Sequence, residues 1–243
     1  MAKIVKQTCN AGKFLKTVIA AAALSTCAFA QAGVVTLDFE GDAMPFMFNG
    51  GYTEIDNYWL ETYSGTGLTT DLAGMIIDGS DTTACVGISC PVNNSSRYYA
   101  SLNDSYFYFG LANNDRFQAR SLQASFIGAG QASFPAVSGI LQLQGYNNDG
   151  SAVGGAMQIA LAGPTAGAFR FANYNLGAFG ANQVAYVRVL GYACDSSGNC
   201  NRSANLANFA IDNIVLNEVP EPVTLGLFGL GLAGLALSRR RRA

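Results

Sequence analysis

Histidine is absent from this 243-residue sequence, and its four lysines, Lys3, Lys6, Lys13 and Lys16, all sit near the start. Without an imidazole there is no Ser-His-Asp or Cys-His catalytic unit and no histidine-bound zinc. Charge is sparse, at 12% of residues, and unevenly placed. Between Gln31 and Pro222 the only basic residues are Arg97, Arg116, Arg120, Arg170, Arg188 and Arg202, six against all sixteen acids of the chain, a formal charge of −10. Nucleic acid is held by basic residues that neutralise phosphates, so this composition excludes it as a partner. Solubility outside a cell, neutral sugars and divalent cations are all compatible with it. Also missing are an activated-serine motif, a phosphate-cradling glycine loop, a redox Cys-x-x-Cys and any repeat of fixed period.

What is present begins with "MAKIVKQTCNAGKFLKTVIAAAALSTCAFAQA". Lysines come first, then an apolar stretch from Thr17 to Phe29, then small residues, the order of a secretory signal peptide. Ala28-Phe29-Ala30 supplies the small-x-small pattern that signal peptidase reads, which places cleavage after Ala30, or alternatively after Ala32. A membrane anchor is the competing reading, but the apolar run is short for a bilayer span. Lipidation at Cys27 is disfavoured by the threonine before it.

Cleavage leaves four of the six cysteines, in "CVGISC" (Cys85, Cys90) and "CDSSGNC" (Cys194, Cys200). Three pairings are possible, and an oxidising compartment makes disulfides the default. Cys85 with Cys90 and Cys194 with Cys200 is the favoured pairing, each closing a small polar or glycine-containing loop. A four-cysteine zinc site would need tighter spacing.

From Gly33 to about Asn217 the chain runs in short segments rich in Val, Ile, Phe and Tyr, separated by Gly, Asn, Asp and Ser. About ten strands are expected, among them "VVTLDFE" (34–40), "NYWLETY" (57–63), "YFYFGL" (106–111), "GILQLQGYN" (139–147), "AFRFANYNL" (168–176) and "NFAIDNIVLNE" (208–218). Leu141 and Leu143 alternate with Gln142 and Gln144, and Phe169 and Phe171 with Arg170, so each strand buries one face, as antiparallel sheets do. "NNDG" (147–150) is a turn signal between two such runs. The expected fold is all-β, an antiparallel β-sandwich of jelly-roll type over residues 31–218, flanked by the signal peptide (1–30) and a C-terminal segment (219–243) with a short transmembrane helix. The long polar stretch 78–99 reads either as a ligand-carrying loop or as a disulfide-pinned surface loop.

Two constellations are candidate sites. In the last strand Phe209 and Ile211 are two apart, whereas the next aliphatics are Ile214 and Leu216, a phase shift that implies a bulge at Asp212-Asn213. If the first and last strands pair, Glu40 and Asp212 meet there, and carboxylates with backbone carbonyls would suit calcium. The bland alternative is that Asp212 and Asn213 only cap the bulge while Glu40 is solvated. Among the aromatics, Trp59 with Tyr98 or Tyr99 are candidates for stacking on sugar rings, against the background that Phe107, Phe109 and most aromatics in alternating strands are core. A scattered pair of acids does not by itself specify a glycosidase.

The end of the chain is "VPEPVTLGLFGLGLAGLALSRRRRA". Val223 to Leu237 is free of charge, and as a helix its fifteen residues would rise about 22 Å, short of a bilayer core of about 30 Å. Arg239, Arg240, Arg241 and Arg242 favour the cytoplasmic side, leaving the preceding domain outside. Pro220-Glu221-Pro222, the short glycine- and leucine-rich span and the arginine cluster together resemble a PEP-CTERM sorting signal. That resemblance implies recognition by exosortase, a membrane cysteine protease or transpeptidase-like enzyme acting near Pro220, Glu221 and Pro222, with the arginines as topology signal. It also implies an inner-membrane intermediate, membrane contact through the C-terminal helix, and sorting to the surface or matrix of a Gram-negative, exopolysaccharide-producing bacterium. "LDFEG" early and "NFAIDNIVLNEVPEP" late are similar to other proteins with this tail. Similar end-strand acids occur in jelly-roll carbohydrate-binding modules with a structural calcium. The expectation is thus a non-enzymatic exported protein of the surface or matrix, carbohydrate-binding or structural, associated with exopolysaccharide or biofilm. A secreted polysaccharide hydrolase and a permanently tail-anchored envelope protein are the alternatives.

Overall fold

The computed structural model describes residues 33–41, 46–81 and 83–219. The expected signal peptide, and the Pro-Glu-Pro motif, apolar span and arginines of 220–243, lie outside the described residues. Within the described residues no helix is long and apolar enough to cross a membrane, and one 3-10 turn, Phe179–Ala181, interrupts a chain of strands.

Strands β1 (Val34–Leu37), β2 (Phe46–Phe48), β5 (Leu72–Asp78), β6 (Arg97–Ser101), β8 (Phe117–Ile127), β11 (Ala172–Asn175) and β14 (Asn208–Glu218) form one sheet. Its order is β11-β8-β14-β6-β5-β2, with β1 also on β14. The second sheet runs β10 (Ala152–Ala162), β9 (Val137–Tyr146), β12 (Tyr186–Cys194), β7 (Tyr106–Leu111), β4 (Tyr58–Tyr63) and β3 (Gly51–Ile55), with β13 (Cys200–Asn201) on β12. Every pairing is antiparallel, and the two sheets make the sandwich the periodicity predicts.

Alternation fills the space between the sheets. Phe107, Phe109, Leu141, Leu143, Val187 and Val189 from one sheet meet Phe117, Phe126, Phe209, Ile211 and Leu216 from the other. Phe107 sits at the centre, its ring centroid 4.7 Å from that of Tyr99 and 6.1 Å from that of Phe209. Truncating such a ring to alanine costs about 3–5 kcal/mol.

A second apolar cluster lies on the opposite side of the first sheet. Ile77, Tyr98, Ala100, Phe171 and Ala210 pack there with Ala84, Cys85, Ile88 and Cys90 of the long β5–β6 connection. Cys85 is bonded to Cys90, and Cys194 to Cys200. The connection is held by backbone bonds from Ser89 to Gly128 and from Val92 to Phe169, and by the Asn93 amide on Phe171. Among the described residues the first sheet is therefore covered on both faces and the second on one.

Several boundaries differ from expectation. The first strand stops at Leu37 because Phe39 has φ 59, outside the extended region. β2 and β3 lie outside the expected strands, and β6 begins inside the long polar stretch 78–99. Phe169 and Phe171 are buried but precede β11, so their alternation belongs to an extended segment without a ladder.

The bulge in β14 is where the phase shift puts it. Asp212 pairs with Gln123 and Val215 with Ser121, so three steps on β14 match two on β8, and Asn213 takes φ 49. It marks a change of partner on the other edge, since β6 pairs with Phe209–Ile211 and β1 with 214–217.

Candidate functional site

The face of the second sheet that no other described residues cover carries the site. In β7 the sequence Tyr-Phe-Tyr-Phe sends Phe107 and Phe109 inward and leaves Tyr106 and Tyr108 on the outer face. β4 does the same with Tyr58, Leu60 and Thr62 inside and Trp59, Glu61 and Tyr63 outside. β12 contributes Tyr186 and Arg188, and β9 contributes Tyr146 and Gln144.

Register aligns these residues into rows across the strands. Trp59 is opposite Gly110, Gly110 opposite Tyr186, and Tyr186 opposite Tyr146. In the next row Glu61, Tyr108, Arg188 and Gln144 follow one another, and in the next Tyr63 meets Tyr106. The result is a cleft of about 690 Å³ lined by Trp59, Glu61, Tyr63, Tyr106, Tyr146 and Tyr186 among others, with Asn114 and Asn148 from two loops.

Gly110 is the seat of the tryptophan. A Cβ placed there would lie 2.8 Å from Cζ2 and 2.9 Å from Cε2 of Trp59, so the indole rests on the glycine backbone. Its ring is near parallel to Tyr52 (centroids 6.4 Å apart, 19°) and tilted 49° to Tyr186. Tyr146 and Tyr186 stack at 5.1 Å and 13°, and Tyr63 and Tyr106 at 5.4 Å and 14°. Such contacts fix the rings before any ligand arrives, lowering the ordering cost of binding.

The polar groups are few. Tyr63 donates its hydroxyl proton to Glu61 Oε1 at 2.7 Å, and Tyr52 does the same to Glu54 Oε1 at 2.7 Å. The bond to Glu61, followed by burial, pushes the Tyr63 phenol up to about 12. Burial also raises Tyr106 and Tyr186, and the Glu54 bond raises Tyr52, so these phenols remain protonated donors at neutral pH. Arg188 lies over the Tyr146 ring at 5.7 Å, and Arg202 over Tyr106 at 5.3 Å. A surface of this kind offers apolar ring area edged by hydroxyls, amides and one carboxylate.

Of the three aromatics singled out from sequence, Trp59 is in this cleft. Tyr98 and Tyr99 are not exposed at all, at 1% and 0%, and neither is placed to stack on a ligand. Tyr99 faces the central core, and Tyr98 packs edge-on to Phe171 under the long connection, centroids 5.2 Å apart. That connection is the reason: it closes a face that strand alternation alone leaves open.

The acidic pair flanks one segment, Asn94 to Arg97. Asp212, fully buried, accepts hydrogen bonds at Oδ2 from Asn94 Nδ2 (2.7 Å), Asn213 Nδ2 (3.0 Å) and Ser96 Oγ (3.3 Å), and at Oδ1 from Asn213 N (2.7 Å). Glu40 Oε1 accepts from Arg97 N at 2.7 Å. Desolvation outweighs these donors and pushes the Asp212 carboxyl up to about 6. Calcium needs several oxygens converging on one point. Here the carboxylates face N–H and O–H donors, and among the described residues no three His, Cys, Asp or Glu side chains gather as a metal shell. In this arrangement both carboxylates take part in hydrogen bonds that hold the Asn94–Arg97 segment.

Known proteins give two findings. In fold, the chain is similar to a DUF4465 family protein from Bacteroides caccae ATCC 43185, at TM-score 0.50 and 12% identity over 76% of this chain and 99% of that one. Weaker likenesses are to the family 11 carbohydrate-binding module of Clostridium thermocellum Lic26A-Cel5E (TM-score 0.32, 12% identity, 78% and 96% covered) and to TmCBM61 in complex with β-1,4-galactotriose (TM-score 0.31, 8%, 65% and 88%). The sheet order and the first of these likenesses define the class as a two-sheet antiparallel β-sandwich. Residues 218–242 match the PEP-CTERM protein-sorting motif, so this sandwich carries a sorting address. That motif implies exosortase processing and export to the cell surface, and the two disulfides agree with an extracytoplasmic location. No curated protein matches the chain.

Proposed function

We propose that this is an exported, non-enzymatic surface or matrix protein, delivered by exosortase processing near Pro220–Pro222, whose tyrosine-lined cleft holds a strand of extracellular polysaccharide. The observation that carries the reading is the row of pre-stacked rings around Trp59 on a sheet face that no other described residues cover. Aromatic faces take the apolar face of a sugar ring, while phenol, amide and carboxylate groups at the rim take its hydroxyls. Glu61 is the one acid lining the cleft. Glycoside hydrolysis uses two facing carboxyl groups, so the lining favours binding over cleavage.

A glycan array followed by pull-down on insoluble and soluble polysaccharides, including those of the producing cell, tests this. Wild type should be retained on at least one, and Trp59→Ala with Tyr186→Ala should lose retention while unfolding normally. Absence of retention on every polysaccharide, or retention that the double variant preserves, would overturn the reading.

A further inference from the structure

Resting on that reading, we infer that the β4 side of the cleft, with β3 beside it, receives a positively charged amine, so that the preferred ligand is an amino-sugar polymer with free amino groups. The outer face is electrically divided. β3 and β4 carry Glu54 and Glu61 and no basic residue. Each glutamate spends one oxygen on a tyrosine hydroxyl, Tyr52 for Glu54 and Tyr63 for Glu61, and neither is bonded to a cation among the described residues. Asp149, in the β9–β10 turn between Asn148 and Gly150 and outside the cleft lining, adds a charge that is felt by Tyr186. The cations of the face approach from the far side: the Arg188 backbone, on β12, is two strands or about 10 Å from that of Glu61, Arg202 lies against Tyr106 and the Asp104 carbonyl, and both are felt with Glu61 at the Tyr106 hydroxyl without either bonding a glutamate among the described residues.

Ring faces are themselves electronegative and attract cations within about 6 Å of their centroids. The protein already uses this on the same sheet, with Arg188 over Tyr146 and Arg202 over Tyr106. Trp59 and Tyr63 have no such internal cation, and they stand beside the two glutamates. An ammonium entering between them gains both the ring faces and the free oxygen of Glu61. At longer range, the formal charge of −10 over Gln31 to Pro222 draws in a cationic polymer and repels an anionic one.

The test is calorimetric titration of the full chain in detergent with two probes of equal length: fully deacetylated and fully N-acetylated β-1,4-linked glucosamine oligomers. The deacetylated probe should bind about tenfold tighter at low salt, the scale of one cation–π contact plus one charge-assisted bond. That advantage should collapse at about 0.5 M salt, where screening shortens to a few ångströms. Glu61→Gln should remove most of it and Glu54→Gln part of it, with both variants unfolding like wild type. Equal affinity for the two probes, tighter binding of the acetylated one, or an advantage unchanged in both variants would overturn the amine assignment and leave polysaccharide binding standing. Loss of binding to both probes and to every neutral polysaccharide would instead remove the underlying reading, and the inference with it.

Discussion

Asp212 should make the fold less stable as pH rises through the mildly acidic range. Its carboxyl titrates near 3.8 when unfolded and at about 6 in the buried bulge. Below the unfolded value it is protonated in both states and contributes no slope. Between the two values only the folded protein holds the proton, so raising pH costs stability across that window. Above about 6 both states are ionised and the loss is complete and constant. With each pKa unit equal to 1.36 kcal/mol, the roughly two-unit shift amounts to about 3 kcal/mol. Surface carboxylates such as Asp78 and Asp149, held low by their serine partners, act in the opposite direction, so the measurement must be differential. Chemical denaturation of wild type and Asp212→Asn from pH 3.5 to 7.5 gives the difference curve, which should change by about 3 kcal/mol and flatten above pH 6. A difference curve that is flat throughout would refute the reasoning. Chelator should leave both wild-type and variant midpoints unmoved; protection of wild type by added calcium would show that the carboxylate faces a cation after all.

Gly110→Ala would bring a methyl within 2.8 Å of the Trp59 ring and 2.9 Å of the Ala185 carbonyl oxygen. It should displace the indole, blue- or red-shift the emission of this lone tryptophan, weaken polysaccharide retention, and cost about 1–3 kcal/mol by overpacking; unaltered emission would mean that the ring does not rest on the glycine. Replacing Cys85 and Cys90 with serine opens a ring of five-residue separation, and loop-closure entropy puts the loss near 2 kcal/mol. The measurement is the denaturation midpoint, and proteolysis should then nick the β5–β6 connection first; an unmoved midpoint would show that the Asn93 and Ser89 bonds suffice.

Much of this architecture was legible in the sequence, and the failures have physical causes. β14 was read with its true limits because eleven residues of alternating character are long enough to establish a period, and a break in that period is itself a signal. β6 was missed because both its faces are buried: Tyr98 and Tyr99 are equally apolar in context, so no alternation separates them. β2 and β3 are short, and the turns between them are glycine- and asparagine-rich. The cleft was half visible. Trp59 was found by residue type, whereas Tyr63, Tyr106, Tyr108, Tyr146 and Tyr186 become a site only when register places them in rows. A usable signal did exist in "YFYF", where tyrosine and phenylalanine alternate. Given phenylalanine inside, the same period puts two phenols together on the outer surface.

The place of β14 also governs when the molecule can finish folding. It is the last strand in the chain yet lies inside its sheet, bonded to β8 on one side and to β6 and β1 on the other. A chain crossing a membrane from its N-terminus would deliver every partner of that strand before the strand itself. Its central contacts span up to 180 residues or so, the kind of non-local pairing that forms late. Delivered in that order, the sheet would stay open along its middle until Glu218 emerged, at the residue where the sorting motif begins. For a chain exported from its N-terminus, completion of the fold and arrival of the address would coincide.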